Sequence, residues 1–156
     1  MLGFAFNFGI IMAYSATTQH VPISAWYWYI IACIWTIAYD TQYAISDREF
    51  DLKLNVKSTA VLLGAYTQLF IVLLQAMVII MLVAWGVIQN YHWPYYAINC
   101  INIALFLYQY RLITPPRQLN TDAGDMSQYA IKAFNHNHWV GLVIWLSILS
   151  QLSLIQ

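Results

Sequence analysis

Tyr39-Asp40-Thr41-Gln42-Tyr43-Ala44-Ile45-Ser46-Asp47-Arg48-Glu49-Phe50-Asp51-Leu52-Lys53-Leu54-Asn55-Val56-Lys57 is the stretch on which the reading of this chain turns. Of twelve Asp, Glu, Lys and Arg residues, seven lie between positions 40 and 57 and five between 111 and 132. Residues 1–39, 58–110 and 133–156 hold none. The chain is 62% hydrophobic and 8% charged over 156 residues, against about 25% charged in a soluble domain. So few charges cannot cover a water-facing surface. The composition predicts an all-α, polytopic transmembrane helix bundle. The formal net charge is +0, so no basic field points to nucleic acid.

Outward from this stretch, the apolar run 25–46 is about 33 Å long as a helix, enough to cross a bilayer. The polar segment 47–57 follows, with Ser58 or Thr59 placed to cap the next helix. The run 60–88 is long enough to span with tilt or a bend. A turn at 89–94 leads to a span over 95–113. A long loop covers 114–127, a short surface helix is expected at 128–135, and a last span at 138–155. Upstream, 2–16 is an apolar run that begins abruptly, and 17–24 is a turn in which Ser24 is a candidate N-cap. That makes about five spans. If they alternate, Arg48, Lys53, Lys57, Arg111, Arg117 and Lys132 all fall on one side. The positive-inside rule makes that side cytoplasmic. Trp26 to Tyr29 and Tyr91, Trp93, Tyr95 and Tyr96 read as an anchoring belt at the opposite interface.

At 100° per residue, Asp47 lies about 20° to one side of Asp40 and Asp51 about 20° to the other. If the helix holds to residue 51, three carboxylates line one face. Asp40 lies within an apolar run, where a carboxylate costs about 2.5–3.5 kcal/mol on insertion scales, so it should face the bundle interior or a wet cavity. Asp47 and Asp51 repel at i,i+4, and a divalent cation converts that repulsion into affinity. Carboxylate oxygens select Mg²⁺, Mn²⁺ or Ca²⁺. Mg²⁺ takes one or two carboxylates and completes its shell with water and substrate phosphate. Two readings stand at this point: a solvated, charge-paired loop, or a Mg²⁺-diphosphate site in which Arg48, Lys53 and Lys57 meet phosphate oxygens. Asp40 favours the second, because a loop needs no carboxylate inside the membrane.

The run Tyr39-Asp40-Thr41-Gln42-Tyr43-Ala44, Asp47-Arg48-Glu49-Phe50-Asp51-Leu52-Lys53 and Val56-Lys57-Ser58-Thr59-Ala60 resembles the second aspartate-rich motif of the UbiA-type intramembrane prenyltransferases. Its Tyr-Asp-Thr entry and Lys-Ser-Thr-Ala exit are similar to the branch acting on 4-hydroxybenzoate in ubiquinone synthesis. Gly3 to Ala13 resembles the family's fifth helix, and Ala133-Phe134-Asn135 through Gly141-Leu142 its C-terminal segment. The resemblance implies a nine-helix fold of which residues 1–156 are the C-terminal part. It implies that an N-terminal half carrying the first motif, Asn-x-x-x-Asp-x-x-x-Asp, is missing, as from a split or incomplete reading frame.

It further implies Mg²⁺-dependent transfer from polyprenyl diphosphate to the ring carbon ortho to the hydroxyl of 4-hydroxybenzoate, in a bacterial inner membrane, with the acidic segment cytoplasmic. On this resemblance Asp47 and Asp51 hold the metal, and Arg48, Lys53 and Lys57 meet the diphosphate. Asp40, Tyr43 and Lys57 are the catalytic candidates. Phe50 and Asn55 depart from the family's frequent Asp and Gly.

Competing expectations are a sister enzyme with another acceptor, a transporter or channel piece using Asp40 as its ion site, and a non-catalytic helical subunit. His136 and His138, at i,i+2, do not share a helix face and read as interfacial. Asp122 and Asp125 flank Gly124 in a turn. Asn7 lines a cavity or bonds a neighbouring helix. Cys33 and Cys100 read as small buried side chains.

Overall fold

A computed structural model describes residues 2–114 and 123–152. Arg117 and Asp122, and the side chain of Asp125, lie outside the described set. The elements are α1 (Leu2–Thr18), α2 (Ile23–Lys53), α3 (Thr59–Leu63), a 3-10 turn (Gly64–Tyr66), α4 (Thr67–Ile88), α5 (Trp93–Ile113), α6 (Ala123–Asn135) and α7 (Asn137–Leu152). No strand occurs among the described residues. α2 packs against α1, α4 and α6, and α5 against α4, α6 and α7.

Several boundaries differ from expectation for local reasons. α2 continues through the polar segment to Lys53, because 46–53 contains no Gly or Pro and its last turn carries a lysine that suits the helix dipole. Pro22 takes the N-cap position, so Ser24 lies inside the first turn. Ser58 does precede α3, but no side-chain capping bond forms there. Of the tilt or bend expected within 60–88, a break is seen at Gly64, where φ is +52°, a conformation that glycine adopts without a Cβ penalty. α6 begins at Ala123, not 128.

By length and composition, Thr59–Ile88 is the one segment among the described residues that is apolar enough to cross a membrane by itself. The long helices α2, α4 and α5 carry amides that the fold turns inward. Gln42, Gln109 and Asn102 are each 0% exposed, whereas Leu73, Ile80 and Val87 are 59%, 67% and 63% exposed. A water-soluble protein does not expose apolar surface on that scale. In lipid the arrangement is favourable, since amides that face a neighbouring helix exchange hydrogen bonds there.

At the end opposite the charges, two residues of the expected belt, Tyr27 and Tyr95, prove to be packing. Tyr27 stacks on Trp85 with ring centroids 5.0 Å apart and donates its hydroxyl to Met81 O at 2.8 Å. Tyr95 is wholly buried and donates to Leu82 O at 2.9 Å. Trp26 and Trp93 do project outward, at 44% and 78% exposure. Close approach of α4 to α5 here requires Gly86: a Cβ on it would stand 2.7 Å from Tyr95 Cε1. Gly86→Ala is expected to destabilise the bundle by about 1–3 kcal/mol, as overpacking does, measured by thermal unfolding in detergent. An unchanged midpoint would show that Tyr95 yields freely.

Candidate functional site

The C-terminal half of α2 carries the acidic stripe. Because the helix reaches Lys53, Asp40, Asp47 and Asp51 fall on one face. α1 covers the same face one turn earlier. Asn7 Nδ2 donates to Thr36 Oγ1 at 2.8 Å, and the Tyr29 hydroxyl donates to Phe4 O at 2.9 Å. Asn7 is therefore a helix–helix bonding residue. Beyond Thr36 the face opens: Asp40 is exposed, Asp47 and Asp51 are half-buried, and Tyr43 is 46% exposed.

None of the three carboxylates has an ion pair among the described residues; Asp47 has only a 3.4 Å contact from Ser46 Oγ. That hydroxyl donates at 2.6 Å to Tyr43 O, so its contribution to Asp47 is weak. A charge-paired segment would not leave these acids free. Asp47 and Asp51 present hard oxygen donors one turn apart, the donor type and number that Mg²⁺ accepts from protein. They are a pair only: no cluster of three or more metal-ligating side chains is found among the described residues.

The exit from α2 bends back toward Asp51. Val56 N–H bonds to Asp51 O at 2.8 Å and Asn55 N–H to Leu52 O at 3.4 Å, with Asn55 at φ +55°. This is the Schellman termination, and asparagine tolerates the left-handed position. The turn returns the backbone to Asp51 immediately before Lys57. The other cations are not brought onto the acidic face. At 100° per residue Arg48 projects about 80° and Lys53 about 220° around from Asp40. Arg48 lines a cavity of about 600 Å³ between α2, the α3–α4 bend and α6, together with Glu49, Ser46 and Gln68. Lys53 Nζ lies 5.7 Å from the Phe50 ring centre.

Aromatic rings flank the stripe. Tyr43 and Tyr39 meet Phe134 edge-on at 5.3 and 5.8 Å, and Tyr39 meets Trp35 at 6.0 Å. Trp35, Tyr39 and Phe134, with Asn135, Asn137 and His138, line a cavity of about 650 Å³. The larger cavity, about 690 Å³, lies between α4 and α5 and is lined by none of the charged residues.

The UbiA prenyltransferase family model matches residues 1–131. The chain belongs to the UbiA prenyltransferase family. Among relatives of this UbiA chain is the 4-hydroxybenzoate octaprenyltransferase of Actinobacillus pleuropneumoniae serotype 5b, 39% identical over 149 residues, covering 96% of the chain and 48% of the relative. Proteins of the same name from Citrobacter koseri and Escherichia coli O139:H28 are each 38% identical over 148 residues, covering 95% of the chain and 48% of the relative. The chain spans about half the length of the curated relatives it matches. No solved structure matches it.

Sequence reasoning missed one constellation in this UbiA chain. Gln42 Nε2 donates to Gln109 Oε1 at 2.9 Å, Gln75 Nε2 to the same oxygen at 2.8 Å, and Asn137 Nδ2 to Gln42 Oε1 at 2.8 Å. The available signal was an amide recurring in each apolar run. His136 packs on the Tyr108 ring, centroids 4.9 Å apart. Burial, with His138 adding to it, pushes the His136 imidazole below the usual histidine value.

Proposed function

We propose that this UbiA chain supplies the second acidic motif of a Mg²⁺-dependent transfer of a polyprenyl group from polyprenyl diphosphate to the ring carbon ortho to the hydroxyl of 4-hydroxybenzoate. The single observation carrying the reading is the Asp47/Asp51 pair, without ion pairs among the described residues, on the open face of α2, within a UbiA-family chain whose relatives are named 4-hydroxybenzoate octaprenyltransferase. Asp47 and Asp51 would hold the metal. Bound there, Mg²⁺ supplies charge that stabilises the departing diphosphate. Lys57, carried back toward Asp51 by the α2 exit turn, meets diphosphate oxygens as a point charge. Arg48 and Lys53, at the same end of α2, add to the positive field.

Asp40 and Tyr43 sit deeper along the stripe. They order the acceptor and face the positive charge that builds on the allylic carbon as its C–O bond breaks. The new C–C bond forms at the ring carbon, which then loses its proton. The first acidic motif comes from an N-terminal half of the same enzyme, which acts in the bacterial inner membrane with the acidic end cytoplasmic; this chain joined with such a half is the two-part enzyme of the test below.

The test is this chain co-expressed with the N-terminal half of the Escherichia coli relative and assayed in membranes with polyprenyl diphosphate and 4-hydroxybenzoate. Prenylated 4-hydroxybenzoate is expected, is lost on chelation, and returns with Mg²⁺. Transfer that persists through chelation, or that occurs only to another acceptor, would overturn the reading.

A further inference from the structure

In a bilayer, the apolar side chains of α2 give it little reason to choose one azimuth over another. Lipid tails are as apolar as the side chains of neighbouring helices, so burial alone does not orient a helix about its axis. Directional hydrogen bonds do. Gln42 is 0% exposed and lies about 200° around α2 from Asp40, close to diametrically opposite. Its amide is held at both ends. The NH₂ donates to Gln109 Oε1 of α5 at 2.9 Å, and the carbonyl accepts from Asn137 Nδ2 of α7 at 2.8 Å. Gln75 of α4 donates to the same Gln109 oxygen at 2.8 Å. Trp35, two turns back on α2, donates its indole N–H to Asn137 Oδ1 at 3.0 Å. Four helices thus meet at one level through amides that have no water to turn to.

We propose that Gln42, Gln75, Gln109 and Asn137 are positioning residues that fix the rotation of α2, so that the Asp40–Asp47–Asp51 stripe faces the reaction space. Slipping α2 by one residue turns it through about 100°. That would swing the stripe toward packed neighbours and leave the Gln42 partners unbonded. The inference deepens the proposed function and rests on it for the stripe's role. The rotation itself does not.

Gln109 offers a discriminating pair of variants. Its Oε1 accepts both bonds, while its Nε2 is buried without a partner. A neutral glutamic acid is isosteric and keeps the accepting carbonyl, so Gln109→Glu retains the junction. Gln109→Leu removes it.

The first measurement uses the full chain in lipid nanodiscs, with Cys33 and Cys100 replaced and spin labels at Leu52 and Ile131, exposed on α2 and α6. The Gln109→Leu distance distribution is expected to move or broaden by about 4 Å or more, since side chains ride about 5–6 Å from the helix axis. Gln109→Glu is expected to match the parent. The second measurement takes the unlabelled two-part enzyme, where Gln109→Leu should raise the Mg²⁺ concentration for half-maximal turnover by about tenfold or more, as loss of supporting contacts does at metal sites. Gln109→Glu should stay within about threefold of the parent, well inside that limit.

A purely structural role predicts lower yield and thermal stability, with an unchanged distance distribution and Mg²⁺ midpoint in the folded fraction. Either unchanged quantity overturns the proposal. If the distances shift but even the parent two-part enzyme transfers no prenyl group, the proposed function fails and the rotational role of the amides stands.

Discussion

Replacing Asp47 and Asp51 together by alanine is expected to lower prenyl transfer by the two-part enzyme at least a thousandfold, roughly what loss of charge stabilisation at a reacting centre costs. The same change is expected to leave membrane insertion intact. Neither carboxylate is engaged in an ion pair among the described residues, and both are partly open to the surroundings. Their removal therefore leaves no buried partner stranded. It also removes an i,i+4 repulsion of a few tenths of a kcal/mol, so thermal stability should hold or rise slightly. Turnover and unfolding in the same detergent preparation check both halves of the claim. Near-normal turnover in the double variant would sink the metal-ligand assignment.

The second large effect concerns the chain by itself. Purified without an N-terminal half, it is expected to give no Mg²⁺-dependent product above background with polyprenyl diphosphate and 4-hydroxybenzoate, whereas the two-part enzyme turns over. No group of three or more side chains that could hold a metal ion occurs among the described residues, and the chain matches 48% of its relatives' length. Two carboxylates hold Mg²⁺ weakly unless substrate phosphate and further ligands complete the shell. The stripe they belong to is open, not enclosed, so water would compete at every step. Mg²⁺-dependent prenyl product from the chain alone, measured by chromatography, would refute the two-part reading.

How far the residues themselves disclosed this can be judged at particular positions. The spacing of Asp40, Asp47 and Asp51 placed three acids on one helical face before any coordinates, on condition that the helix persisted. The absence of Gly and Pro from 46–53 was the local reason that it does. The break at Gly64 and the return turn at Asn55 were not read from the sequence; their positive φ values emerged only with the backbone. Arg48 and Lys53 stood beside the acids in the sequence, and the helical turn carries them away from the stripe. Tyr95 and Tyr27 looked like interfacial anchors. Tyr95 is buried and Tyr27 packs half-buried against the core, because an aromatic near a span end serves as an anchor or as filling depending on which neighbour approaches.

The sequence by itself determined the class, the charge-bearing end and the acidic spacing, since composition and helical period are properties of one segment at a time. Tertiary structure alone decided which face of α2 is buried, that Gln42 meets residues 67 and 95 positions away, and hence where the stripe points. An amide in an apolar run is compatible with any inward direction. Only the packing of several helices at one level settles which partner satisfies it, and that hydrogen bond orients everything on the opposite side of the helix.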